Sequence, residues 1–209
     1  MNSGKSLFLD GYMALFCNFY VWIPFLLSIL YLLIKNNSIQ DFLEILLLNC
    51  CMLLVVYLLT SYAIMPVTEY LLSWCYDLPA DVYDIEKWGS PFLLQIASTT
   101  SLTIFLSIII RHGTLSFSFI LWCLLSCVSC MYFAAGGLLE IVASLFTGII
   151  CGTLTYRVHR YIQGKRRNGR RDWISDRFTA TGYDVSDIYF VLVVMYTTFA
   201  IIPVISFYL

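Results

Sequence analysis

The chain has few charged residues and almost no histidine. Only 12% of its 209 residues are charged and two are histidines, whereas 60% are hydrophobic. Soluble domains carry roughly a quarter charged residues, so this composition argues against an ordinary soluble domain. It is typical of a chain whose natural solvent is lipid, and we expect no nucleic acid partner.

Metal-binding and disulfide motifs are weak despite the eight cysteines. Seven of them lie within apolar runs, where cysteine behaves as a small hydrophobe. Cys127 and Cys130 have CxxC spacing, but no second pair or histidine accompanies them, and isolated spacing of this kind is weak evidence. The acidic residues between 77 and 86 fit no calcium-loop spacing. We therefore expect no metal and no cofactor.

Long apolar runs are what the chain has in abundance. A bilayer core of about 30 Å needs about 20 apolar residues per helix, and the sequence predicts six such spans. The predicted fold is an all-α polytopic membrane protein with six transmembrane helices. The spans lie at about 14–34, 42–64, 91–110, 115–134, 138–157 and 188–208. The predicted organisation is a five-span bundle over 1–160, a basic cytoplasmic linker over 161–187 and a sixth helix over 188–209.

The distribution of lysine and arginine predicts an orientation. Placing the segment 157–177 in the cytoplasm puts ten of the twelve basic residues on that side, as the positive-inside rule requires. Both termini are then exterior, and the plasma (inner) membrane is the expected location. One basic run either contacts anionic lipid headgroups or only holds the topology. It consists of Lys165, Arg166, Arg167, Arg170 and Arg171.

One carboxylate interrupts the longest apolar region. Glu140 is the only charged residue between Gly113 and Tyr156, and its setting allows two interpretations. It is either the remnant of a catalytic acid or an acid in the first turn of the fifth span, where the helix dipole favours it. A polar stripe over 95–101 in the third span is expected to form hydrogen bonds between helices.

The stretch SCMYFAAGGLLEIVASLFTG, residues 129–148, resembles the third motif of the type 2 phosphatidic acid phosphatase superfamily. WIPFLLSILYLLIKN and SLTIFLSIIIR are also similar to short bacterial members. Members of that family have a six-helix membrane fold and cleave lipid phosphomonoesters and pyrophosphates. Their motifs, K-x6-R-P, P-S-G-H and S-R-x5-H-x3-D, meet at the exterior side. The resemblance covers roughly residues 8–160 and implies the same helical bundle here.

The positions that match the family's catalytic residues hold other residue types. In the third motif Cys130 replaces arginine, Gly136 replaces histidine and Glu140 replaces aspartate. In the second motif Gln95 replaces the nucleophilic histidine. In the first motif Met65 and Leu72 replace lysine and arginine. His112 and His159 are both predicted on the cytoplasmic side, so the resemblance implies a site without nucleophile, general acid or phosphate clamp.

Three functions remain open for such a chain. The first is a catalytically inactive phosphatase-like protein that acts as a scaffold, as a partner subunit of another membrane protein, or as a binder of membrane lipids. The second is a lipid phosphate or pyrophosphate phosphatase with an altered site, which would need Ser129, Cys130 or Glu140 as nucleophile. The third is a small transporter or lipid flippase, although no ionisable residue is predicted in mid-membrane, where transport sites usually have one.

Overall fold

The computed structural model describes residues 7–64, 86–132, 138–166, 178–179 and 181–208. Within these ranges the chain is helical apart from short turns and one isolated β-bridge, between Phe178 and Asp184. The prediction of an all-α fold is confirmed. The helices are α1 (Leu7–Cys17), α2 (Ile23–Asn36), α3 (Ile39–Leu59), α4 (Glu86–Ile110), α5 (Gly113–Tyr132), α6 (Leu138–Arg166) and α7 (Val185–Tyr208).

The helices have the length and composition of membrane spans. Five of them, α3 to α7, are long and apolar enough to cross a bilayer, and α1 and α2 together supply a sixth candidate that is bent by 68°. An α-helix satisfies all its interior backbone hydrogen bonds within the segment, which is why apolar chains cross lipid in this form. These helices are consistent with a membrane protein.

The first apolar run forms two helices rather than the single span predicted over 14–34. α1 ends at Cys17, and the side chain of Asn18 accepts a hydrogen bond from the Tyr20 backbone N–H at 3.0 Å. A 3₁₀ turn over Phe19–Trp22 follows, and Pro24 occupies the first turn of α2. Asparagine competes with helical hydrogen bonding and proline favours a helix start, so local chemistry explains the break.

Other boundaries also differ from those predicted: α3 begins at Ile39 rather than at 42, and α4 begins at Glu86 rather than at 91. The fifth apolar run continues as α6 to Arg166, beyond the expected end at 157, so the first part of the predicted linker is helical. α7 begins at Val185 rather than at 188. α3 is followed by a π turn over Thr60–Ile64, within the predicted second span.

The closest helix pair is α4 with α6. A Cβ added to Gly148 would lie 2.6 Å from the Thr100 Cβ, and one added to Gly152 would lie 2.7 Å from the Ser101 carbonyl oxygen. Any larger residue at either position would push the two helices apart. Small residues of this kind permit the close backbone approach that stabilises helix pairs in lipid.

Aromatic rings join α1, α2, α5 and α7 in a shared core. The Trp22 ring lies 4.9 Å from Phe16, 5.3 Å from Trp122 and 5.6 Å from Phe199, measured between centroids. Its indole N–H donates to the Phe16 carbonyl at 2.9 Å. Rings at these separations interact favourably beyond the area they bury, so Trp22 anchors the bend between α1 and α2.

The bundle has two chemically different ends. At the polar end, which we define by Lys35, Asn36, Tyr183 and Asp187, α2 ends and α7 begins. At the opposite end, Cys17 closes α1 and Cys130 lies in the last turn of α5. We call this the cysteine end.

Candidate functional site

A single buried carboxylate holds the polar end together. Asp187, 6% exposed, accepts a hydrogen bond from Lys35 Nζ at 2.6 Å on one oxygen and from Asn36 Nδ2 at 3.1 Å on the other. Charge-assisted hydrogen bonds of this kind are stronger than neutral ones. The Lys35 side chain is 51% exposed, so it pairs with Asp187 and still reaches the surface.

A second layer of hydrogen bonds surrounds this pair. The Asp184 backbone N–H donates to Asn36 Oδ1 at 2.9 Å, and Asn37 Nδ2 donates to the Tyr183 hydroxyl at 3.0 Å. Thr181 donates its hydroxyl to the Ile110 carbonyl at 2.9 Å, which ties the start of α7 to the end of α4. Sequence reasoning missed this network, although KNN (35–37) directly after one apolar run and YDVSD (183–187) directly before another were visible signals.

A groove of about 620 Å³ opens between α2 and α7 next to this network. Its walls are mainly apolar, formed by Pro24, Leu27, Tyr31, Phe190 and Val194. Ser186 and Asp187 line it at the polar end. The volume falls within the range of about 300–1,000 Å³ that is usual for ligand sites.

At the cysteine end, Cys130 packs with the residues that directly follow two other proposed motif positions, Gln95 and Glu140. Cys130 is 1% exposed and belongs to an apolar cluster with Ile96 and Ile141, the neighbours in sequence of Gln95 and Glu140. Cys17, Cys123 and Cys127 contribute to the same cluster. The described cysteines carry free thiols, and no group of metal-binding side chains exists in the described parts of the chain.

The polar stripe over 95–101 forms mostly hydrogen bonds within its own helix and only in part the predicted bonds between helices. The Gln95 carbonyl accepts the hydroxyls of Ser98 and Thr99 at 3.0 and 2.8 Å, and Thr100 donates to the Ile96 carbonyl at 2.7 Å. Of the stripe's described hydroxyl contacts, one crosses to another helix, between Thr100 and Cys123 Sγ at 3.1 Å. The prediction is therefore confirmed for Thr100 alone among these described hydroxyls, because serine and threonine can also bond the preceding turn of their own helix.

Glu140 lies in the first turn of α6 and is half-buried, which confirms the interpretation as an acid at a helix start. Ser129 is buried and its hydroxyl donates to Met13 Sδ at 3.3 Å. Met65, Leu72 and Gly136 lie outside the described residues, as do Arg167, Arg170 and Arg171. Lys165 and Arg166 belong to the last turn of α6.

Both histidines lie toward the polar end. The His112 ring lies 6.1 Å from the Tyr189 ring, where α5 starts. His159 is buried in α6, and its Nδ1 lies 3.2 Å from Glu44 Oε1 in α3, with side chains 6% and 12% exposed. The pair lies within two candidate spans but near their ends, five residues after Ile39 in one and four residues before Gln163 in the other, so it does not contradict the prediction of no ionisable group in mid-membrane.

The comparisons with known proteins give no relative for this arrangement. No family model matches the chain, no curated protein matches its sequence, and no solved structure matches its fold.

Proposed function

We propose that the chain is an integral membrane protein with a phosphatase-like bundle that binds rather than catalyses. One observation carries the proposal. Around the motif position Cys130 lies an apolar cluster of cysteine and isoleucine side chains, whereas both histidines lie toward the opposite end of the bundle.

Phosphoryl transfer needs a nucleophile, a general acid and positive groups that stabilise the charge developing on phosphorus. A buried thiol next to isoleucine offers no such charge, because apolar surroundings keep a cysteine inert. Loss of a single electrostatic stabiliser costs about 10²–10³ in rate. The absence of several such groups from one site favours a non-catalytic role.

Among the non-catalytic roles, lipid binding has the most direct structural support. The groove between α2 and α7 has mainly apolar walls, with Ser28 among them, and is polar at one mouth, which is the pattern of an amphipathic ligand. The roles of scaffold and partner subunit are compatible with the same surface, since 38 large hydrophobic side chains are exposed in the described parts of the chain.

A phosphate-release assay tests the proposal. Detergent-purified protein is incubated with phosphatidic acid, a phosphatidylglycerol phosphate and a polyprenyl pyrophosphate, beside a phosphatase that keeps all three motifs. We expect phosphate from that control alone. Release by this chain that disappears in both Cys130→Ser and Glu140→Ala would overturn the proposal in favour of an altered active site.

The pair His159–Glu44 supports a second candidate, a small transporter. Ionisable residues within a membrane often mark ion or substrate pathways, and this pair is buried between α3 and α6. A proton flux across proteoliposomes that falls in His159→Gln would support transport. If the wild-type protein gave the same proton flux as empty liposomes, the transporter candidate would be excluded.

A further inference from the structure

The groove between α2 and α7 changes character along its length. Ser186 and Asp187 form one mouth, where the chain enters α7, and Val194 lies at the far end. The seven residues from Asp187 to Val194 rise about 10 Å along the helix. That is about a third of the hydrocarbon thickness of a bilayer, about 30 Å, so the groove starts at one interface and extends into the apolar region.

The polar mouth keeps unused donors. Lys35 flanks the mouth through its partner Asp187, and of its three N–H donors one goes to Asp187 Oδ1 at 2.6 Å and another faces the Tyr31 side chain, which leaves one. The half-exposed Lys35 side chain can therefore bond a further acceptor without breaking that ion pair. The exposed Ser186 also lines the mouth and adds a hydroxyl.

The apolar walls suit a hydrocarbon chain. Leu27 is 57% exposed and Phe190 is 50% exposed, although both line a concave surface. The Tyr31 and Phe190 rings approach edge to face with centroids 5.8 Å apart, which joins the two walls beside the polar mouth. In lipid the apolar walls exclude no water, so an acyl chain packs against them as it would against neighbouring lipid, and the headgroup contacts supply the selectivity.

We propose that this groove binds a phosphatidylethanolamine molecule, with its phosphate on Lys35 and Ser186 and the start of one acyl chain between Leu27, Phe190 and Val194. The inference rests on the proposed function, because it requires that the helices lie in a membrane. It adds the class of ligand and the residues that recognise it.

Charge favours a zwitterionic headgroup over an anionic one. Asp187 lines the mouth and pairs with the Lys35 ammonium beside it, and Asp184 lies next to the mouth, where its carboxylate accepts from the Ser186 backbone N–H at 2.9 Å. A phosphate bound to Lys35 meets a positive donor, and an ethanolamine ammonium beside the two acids balances their charge. An anionic lipid such as phosphatidylglycerol brings the phosphate without the compensating ammonium.

Native mass spectrometry of the full chain in detergent tests the site. The delipidated protein is titrated separately with phosphatidylethanolamine, phosphatidylglycerol and diacylglycerol, and the first bound molecule is followed. We expect phosphatidylethanolamine to bind most tightly and diacylglycerol, which lacks the phosphate, most weakly. In Val194→Trp, which fills the groove, we expect at least a tenfold loss of affinity for phosphatidylethanolamine.

Val193→Trp is the matched control, because Val193 is the adjacent valine, is 59% exposed and does not line the groove. Equal binding by the two tryptophan variants would overturn the site. Equal binding of diacylglycerol and phosphatidylethanolamine would overturn the role of the headgroup, and tighter binding of phosphatidylglycerol would overturn the charge argument. Phosphate release contradicts only the non-catalytic function, so the two failures are distinguishable.

Discussion

Two helix pairs in this molecule are held together in different ways. α4 and α6 pack along their length with their backbones close, because Gly148 and Gly152 have no side chain to separate them. α2 and α7 are joined at one end, where Asp187 accepts hydrogen bonds from Lys35 and Asn36, and a groove separates them beyond that point.

The difference indicates which surface is structural and which is available for binding. Lipid is as apolar as leucine, so helices in a membrane associate through close packing and polar contacts rather than through hydrophobic burial. The α4–α6 pair uses close packing and leaves no space. The α2–α7 pair uses polar contacts at its end, and this permits a ligand-sized opening without loss of the connection.

The largest expected effect comes from filling the α4–α6 contact. In Gly148→Leu the side chain meets Thr100 and the Ala97 carbonyl at less than 3 Å, so the helices must separate. Overpacking costs roughly 3 kcal/mol, and we expect the thermal midpoint in detergent to fall by about 10 °C. Gly113→Leu is the control, since no atom lies within 4 Å of a Cβ there. Equal midpoints would contradict the close-packing argument.

A smaller effect is expected at the polar end. Asp187→Ala removes the acceptor for both Lys35 and Asn36, so α2 and α7 lose their main connection. We expect the midpoint to fall by about 5 °C, from the usual strength of hydrogen bonds to charged groups. Asp187→Asn keeps the shape without the charge and should lose less. An unchanged midpoint for Asp187→Ala would mean that other contacts hold α2 to α7.

The smallest effect is expected for a hydroxyl that forms a hydrogen bond within its own helix. Thr100 donates to the Ile96 carbonyl and contacts Cys123 Sγ. Thr100→Val keeps the shape against Gly148 and removes the hydroxyl, so we expect a loss of at most about 1 kcal/mol and a midpoint within about 3 °C of the wild type. A fall as large as that of Asp187→Ala would show that the contact with Cys123 stabilises the helix pair.

The sequence alone predicted the helical fold because a run of about 20 apolar residues specifies a membrane helix locally. Glu140 was also predictable as a helix-start acid, since the helix dipole acts within one turn. The break after Cys17 could have been predicted from Asn18 and Pro24, because both residues act on the backbone next to them. Residue identity also determined that the positions proposed to correspond to phosphatase motifs, such as Gln95 and Cys130, lack histidine and arginine.

Tertiary structure decided the contacts that join distant parts of the chain. Lys35 and Asp187 are 152 positions apart, and whether they meet depends on the rotation and tilt of α2 and α7. The same holds for Glu44 and His159, which face each other only because α3 packs against α6. The groove also depends on the rotation and tilt of α2 and α7. Hydropathy determines that a helix is in lipid, but it does not determine which face of the helix meets a neighbour.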